Sequence, residues 1–252
     1  MAAGNYFESS IFYERALYEG AANDVWQHAV MGKLNCLKKQ ELYAEANTFV
    51  TSYFSLNLPD SVQTNLLYEQ AVCSYLAGNF ENTISVVDQV AVAYPSYQHL
   101  AFLKMLKILS YNELQNWSAA KIEYKNWMAT YAVLDSADQL YNTLPKLKSA
   151  DRAQWLSTFI PGAGQIYAGK PWEGIASILL QGGSIYFGIR SWQEHYYISA
   201  WLVGLGLFGS FHNGGVRRAE VLVQQYNRKK VIAFNQTLKE SLLSKLNSLD
   251  HK

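Results

Sequence analysis

Charge is scarce in this sequence: Asp, Glu, Lys and Arg make up 16% of its 252 residues, against about a quarter in ordinary soluble domains. The two signs nearly cancel, 21 basic against 20 acidic, so no global field favours a nucleic-acid partner. Cysteine is scarcer still. Cys36 and Cys73 have no CxxC pairing and no histidine at metal-ligand spacing, which excludes zinc, iron–sulfur and disulfide-framework classes and marks them as packing residues. No P-loop, nucleophile elbow or metal-binding helix motif occurs. Gly204-x-Gly206-x-x-Gly209 spells the dinucleotide fingerprint, but inside an apolar run with no strand before it. The histidines, His28, His99, His195, His212 and His251, are scattered. A membrane enzyme using His195 or His212 is therefore the weakest functional class, and the chain is read as a non-enzyme with no catalytic, cofactor or metal residues. The first 20 residues lack the basic leader and apolar core of a cleavable signal.

What is abundant is apolar and aromatic: 50% hydrophobic residues, with 18 Tyr and 7 Trp. The charges that exist are unevenly placed, 14 acidic and 10 basic over 1–150, then 6 and 11 over 151–252. Two regions with different surroundings follow from that split. Within the first, aromatics at Tyr6, Tyr43, Phe80 and Trp117 recur every 37 residues. Three residues after each comes a small side chain (Ser9, Ala46, Thr83, Ala120), and ten after it Ala16, Tyr53, Val90 or Trp127. This spacing predicts helix pairs, each with a short turn, an aromatic over the inter-helix groove and a small residue where two backbones approach.

The run Gly78-Asn79-Phe80-Glu81-Asn82-Thr83-Ile84, followed by Pro95 and preceded by Ala71 on a first helix, resembles the tetratricopeptide repeat. The resemblance covers residues 1–133 and implies an α-solenoid. Glu41 and Gln115 stand where that family's turn carries glycine. The unit at Tyr6 has only its second helix, so an upstream segment is expected. Cys36 and Cys73 fall at equivalent positions of neighbouring units, roughly 9–10 Å apart in stacked repeats, too far for a disulfide.

From 153 onward the composition changes. Uncharged runs cover 153–169, 174–189 and 196–216, with Trp172, Arg190 and Trp192 at their edges. The glycines crowded into them would weaken helices in water by ~1 kcal/mol each, whereas small residues let membrane helices approach closely. Residues 161–169, with Pro161, Gly162, Gly164, Tyr167 and Gly169, resemble the Pro-Gly-x-Gly-x-x-Tyr-x-Gly signature of a small two-helix membrane domain of bacteria. Repeats before such a hairpin are similar to a family of uncharacterised bacterial envelope proteins. The signature implies a kinked approach to the membrane, with Tyr167 at headgroup depth. After it, Val231, Phe234, Leu238, Leu242, Leu246 and Leu249 recur at helical spacing, which makes an amphipathic helix that either lies on an anionic lipid surface through Arg217, Arg218, Arg228, Lys229 and Lys230 or docks against the repeats.

The expected fold is therefore all-α: a tetratricopeptide-like α-solenoid over 1–133, a helical linker over 134–152, a membrane hairpin over 153–216 and a basic amphipathic helix over 217–252. The expected function is a membrane-anchored interaction scaffold. Its unknown protein or peptide partner would meet Asn65, Tyr68 and Tyr75 on a first helix, and its other partner is the lipid bilayer. The alternative is an accessory factor in membrane-protein insertion, secretion or envelope assembly that acts through the hairpin. His212 with Asn213 is the candidate intramembrane polar pair. Nine Lys and Arg flank the two spans on the side of the repeats and tail, against Arg190 alone in the loop. A bacterial inner membrane with cytoplasmic repeats follows from the positive-inside rule; the export signals of the resembling family point instead to the periplasm.

Overall fold

The computed structural model describes residues 5–20, 23–53, 58–131 and 140–250, and among them every regular element is a helix. In chain order these are α1 (Tyr6–Tyr18), α2 (Asn23–Lys39), α3 (Tyr43–Thr51), α4 (Asp60–Leu76), α5 (Phe80–Ala93), α6 (Leu100–Glu113), α7 (Trp117–Thr130), α8 (Ala150–Phe159), α9 (Ala163–Tyr167), α10 (Pro171–Gln193), α11 (Tyr197–Ser199), a π-helical stretch Ala200–Leu207, and α12 (Phe208–Asp250). They form two compact units, Met1–Thr143 with Thr237–Lys252, and Leu144–Gln236.

In the first unit each repeat aromatic is the first residue of a helix: Tyr6 of α1, Tyr43 of α3, Phe80 of α5 and Trp117 of α7. Asn5, Asn79 and Asn116 precede three of them, and each side chain accepts the third helical amide at 3.3 Å, a cap contributing about 1 kcal/mol. One residue earlier the backbone is left-handed, at Glu41 (φ 61°), Gly78 (φ 78°) and Gln115 (φ 56°). The amides of Leu42, Asn79 and Asn116 then reach back to the carbonyls of Leu37, Ser74 and Tyr111, which closes the preceding helix in the Schellman manner. Glu41 and Gln115 thus adopt the turn of Gly78 without its glycine.

Consecutive helices pack on one another from α1 to α7, and α4 also packs on α6. The small residues Ala46, Thr83 and Ala120 are wholly buried, as are Val90 and Trp127 ten residues after their aromatics. Seven residues before the aromatics, Cys36, Cys73 and Ser110 are buried as well. Both cysteines are free, and burial, with Glu69 adding, pushes the Cys73 thiol up to about 12 against a smaller opposing pull from Lys38. At Ala120, with 0% exposure, substitution by Trp is expected to lower stability by roughly 1–3 kcal/mol through overpacking, read from chemical denaturation of the full chain.

A polar ladder runs through the same repeats. Lys33, Gln70 and Lys107 are 37 residues apart on α2, α4 and α6, and each bonds the residue 19 positions earlier on the preceding second helix: Lys33 to Glu14 at 3.1 Å, Gln70 to Thr51 at 3.4 Å and Lys107 to Asp88 at 2.6 Å. Lys107 also reaches Glu123 on α7 at 2.9 Å. Burial alone would lower the Lys107 pKa, but the bonds to Asp88 and Glu123 outweigh it and the net shift is upward. A group raised on folding contributes stability that is complete below its unfolded value and is lost as pH rises through the folded one. The first unit is expected to lose this contribution only above pH 10.5, and Lys107→Met is expected to flatten that alkaline decline in denaturation curves.

The linker differs from expectation. Residues 134–139 lie outside the described residues, and 140–149, which include Pro145, are not helical, so helix resumes only at α8. The second unit begins at Leu144 rather than 153. Nor does a separate tail helix start at 217: α12 runs unbroken from Phe208 to Asp250, and the division between units falls within it.

In the second unit α10 packs along the π-helical stretch, and α9 packs on both α8 and α10. The side of α10 that faces inward is a seven-residue pattern of small and polar side chains: Gly174, Ser177, Gln181, Ser184, Gly188 and Ser191, of which Gly174, Gln181, Ser184 and Ser191 are buried. Gly188 meets Gly204 so closely that a methyl at either would lie 2.8 Å from the other's Cα. Among the described residues no helix is long and apolar enough to cross a membrane. The polar seam lowers the apolarity of α10, and the uncharged run 196–216 is divided among α11, the π-helical stretch and the start of α12.

Candidate functional site

On the first unit, Asn65 and Tyr68 lie one turn apart on α4 and share an aromatic cluster. Asn65 is exposed and accepts a hydrogen bond from the Tyr97 hydroxyl at 3.3 Å. The Tyr68 ring sits 5.3 Å from His99 and 5.6 Å from Phe102, and Tyr97 meets His99 at 5.5 Å. Tyr75 follows two turns later on the same side but packs edge-on against Phe80 at 5.6 Å. Burial, then Glu113, pushes its phenol up to about 12, which keeps the hydroxyl neutral. The structure thus brings Asn65 and Tyr68 together with Tyr97, His99 and Phe102, while Tyr75 belongs to the packing of its own turn. A cavity of 90 Å³ beside Asn65 is lined by Trp26, Met31, Ser61 and Leu66 among others.

On the second unit the five signature residues act as joints. Pro161 and Gly162 form the turn between α8 and α9, with Gly162 at φ 84°. A side chain on Gly164 would overlap the Ala153 carbonyl and the Ser157 hydroxyl, so only glycine lets α9 lie against α8. Its amide donates to Ser157 Oγ at 3.1 Å. Tyr167 holds the incoming chain: its carbonyl accepts from Lys148 Nζ at 2.8 Å, and its hydroxyl accepts the Ser149 amide at 3.2 Å. Asn227 completes the latch with paired 2.8 Å bonds to the Lys148 backbone, and the Lys148 ammonium lies 4.1 Å above the Tyr226 ring. Gly169, at φ 91°, turns the chain into α10.

His212 and Asn213 do not act as a pair. Adjacent residues of a helix project about 100° apart, so His212 turns inward, with Nδ1 3.3 Å from Gln181 Oε1, while Asn213 is exposed. The partner of His212 is a polar network that was not read from the sequence. Gln181 donates to Ser177 Oγ at 3.0 Å, and the buried Gln165 accepts from Ser157 at 3.1 Å and donates to the Gly215 carbonyl at 2.9 Å. Near one end, Arg218 makes a two-pronged bond to Glu173 at 2.8 and 3.3 Å. The detectable signal is a pair of seven-residue series, Gly174, Gln181 and Gly188, and Ser177, Ser184 and Ser191, offset by three residues.

Around this polar interior the exposed residues are large and apolar: Ile178, Leu179, Phe187, Ile198, Trp201 and Leu202 among them. A cavity of 710 Å³ between α10 and the π-helical stretch is lined by Ile185, Gly188, Trp192, Trp201, Leu205 and Phe208 among others. A second, of 330 Å³, opens beside Gln165, Ser177, Gly215 and Arg218. At the turn after α10, His195 lies 2.8 Å from the Tyr197 hydroxyl, both exposed, and Arg190 pairs with Glu194 at 2.8 Å. Among the described residues no three His, Cys, Asp or Glu side chains converge as metal ligands would. Comparison with family models, with curated proteins and with solved structures returned no match.

Proposed function

We propose that the chain is a membrane-anchored interaction scaffold, in which an α-solenoid of helical repeats offers the Asn65–Tyr68 surface to a protein or peptide and the second unit holds it at a bilayer. The observation that carries this is the inverted burial of the second unit. Gln165 and Gln181 are 2% exposed while Leu179 is 69% and Ile198 78% exposed. Each large apolar side chain left in water forgoes roughly 1.5–3 kcal/mol, and soluble monomers rarely carry a contiguous patch of this kind. In lipid the same surface is at home, and the hydrogen bonds of Gln165, Gln181 and Ser184 stay inside, as membrane helices require.

Dimensions and connectivity support the same reading. The 23 residues of α10 extend about 34 Å, which matches a hydrocarbon core of about 30 Å in length; its apolarity falls short of a lone span, so the reading requires its polar seam to be covered by the rest of the second unit. Thr237–Lys252 belongs to the same compact unit as the repeats, a connectivity compatible with a two-span hairpin. The basic residues on the side of the repeats and tail favour the cytoplasmic face of a bacterial inner membrane.

The accessory-factor reading is favoured by one feature, the 710 Å³ apolar cavity beside the π-helical stretch, because π segments are frequent at functional sites. Crosslinking of the full chain in its membrane separates the two. For a scaffold, Tyr68→Ala abolishes partner capture and Gly204→Ala leaves partner identity unchanged. Partners lost with Gly204→Ala but kept with Tyr68→Ala would assign the activity to the hairpin.

A further inference from the structure

We propose that the segment 237–250 of α12 is a tethered helical ligand for the α7 end of the repeat array, in the place of the first helix that a further repeat would supply. Each earlier second helix is followed by a first helix that packs on it: α2 on α1, α4 on α3 and α6 on α5. A step of 37 from the start of α6 would begin the next first helix at residue 137, outside the described residues, yet 140–149 are not helical. A repeat array needs a cap at such an end.

The tail has the properties of that cap. Thr237–Lys252 belongs to the compact unit of α1–α7, and Leu238 and Leu242, one helical turn apart, are 1% and 0% exposed. Lys245 is buried beside them in sequence. This is the anchor pattern of an amphipathic helix laid in a groove.

The polar ladder also ends at α7. Glu14, Thr51 and Asp88 each bond the residue 19 positions later. In α7 the equivalent residue is Lys125, of opposite sign to Glu14 and Asp88, and the nineteenth residue after it is Leu144. Glu240, two residues from both Leu238 and Leu242, lies on the exposed side of α12 away from them, so the docked face is made by the two leucines with Lys245. The surface thus fits an amphipathic helix with leucines four apart, whether or not the second unit enters a bilayer.

A protease recognition sequence inserted between Gln236 and Thr237 of the full chain in detergent lets the segment be severed from the folded protein. The severed segment is expected to co-elute with the body, and a fluorescein-labelled copy of residues 237–252 to exchange into its place. Leu238→Asp in the labelled copy should weaken binding more than about tenfold. Glu240→Lys, on the exposed side of the segment, should leave binding unchanged. Departure of the severed segment without rebinding, or rebinding indifferent to Leu238→Asp, would overturn the proposal. Loss of helical circular dichroism on cleavage would also overturn it, since the segment would then be core rather than ligand.

Discussion

Trp127→Ala is expected to cost roughly 3–5 kcal/mol, the range for emptying a buried indole site. Trp127 is 1% exposed, and its indole N–H donates to the Ala101 carbonyl at 2.9 Å, tying α7 to the first turn of α6. Removing it therefore opens a cavity and breaks the side-chain bond that ties the two helices in one step. Its counterpart one repeat earlier is Val90, equally buried, and Val90→Ala should cost less because a smaller volume is vacated. Because repeats are coupled to their neighbours, the loss should show in urea unfolding of the full chain followed by circular dichroism. Equal costs at the two positions would contradict the repeat register.

Leu179→Arg is expected to oppose membrane insertion by about 2.5–3.5 kcal/mol, the cost of a cation near the middle of a spanning helix. Leu179 is 69% exposed, and if it faced water the same change would fall within about 0.5 kcal/mol of neutral. Val92→Arg is the matched control, at an 85% exposed position of α5 in the repeat unit, where no effect is expected. The comparison is made by measuring the fraction of each full-length variant that inserts into vesicles.

Much of the first unit was legible in the sequence because one period governed it. The 37-residue spacing of Tyr6, Tyr43, Phe80 and Trp117 located four helix starts, and the buried Ala46, Thr83 and Ala120 lie where the spacing placed small residues. Glu41 and Gln115 read as departures from a glycine turn, yet their backbones are left-handed like that of Gly78. A strain of roughly 1–2 kcal/mol per residue is small enough for the two carbonyl-closing hydrogen bonds at each turn to hold. The ladder of Lys33, Gln70 and Lys107 escaped notice because its partners sit on a different helix, 19 residues away. In the second unit the long apolar runs fall on helical segments, but the run 196–216 is divided among α11, the π-helical stretch and α12, and no described helix is long and apolar enough to cross a membrane. The informative residues of α10 were the polar ones at seven-residue spacing, and they decide which side faces inward. His212 and Asn213 looked like a pair only because they adjoin in sequence.

Membrane anchoring by the second unit is tested most directly by flotation of the purified full chain with liposomes through a density gradient at high salt and alkaline pH. Those conditions strip proteins held only by charge. Wild-type chain is expected to rise with the lipid, and the double variant Leu179→Arg, Leu202→Arg to remain below. A wild-type chain that stays at the bottom as a monodisperse, folded species would contradict membrane anchoring.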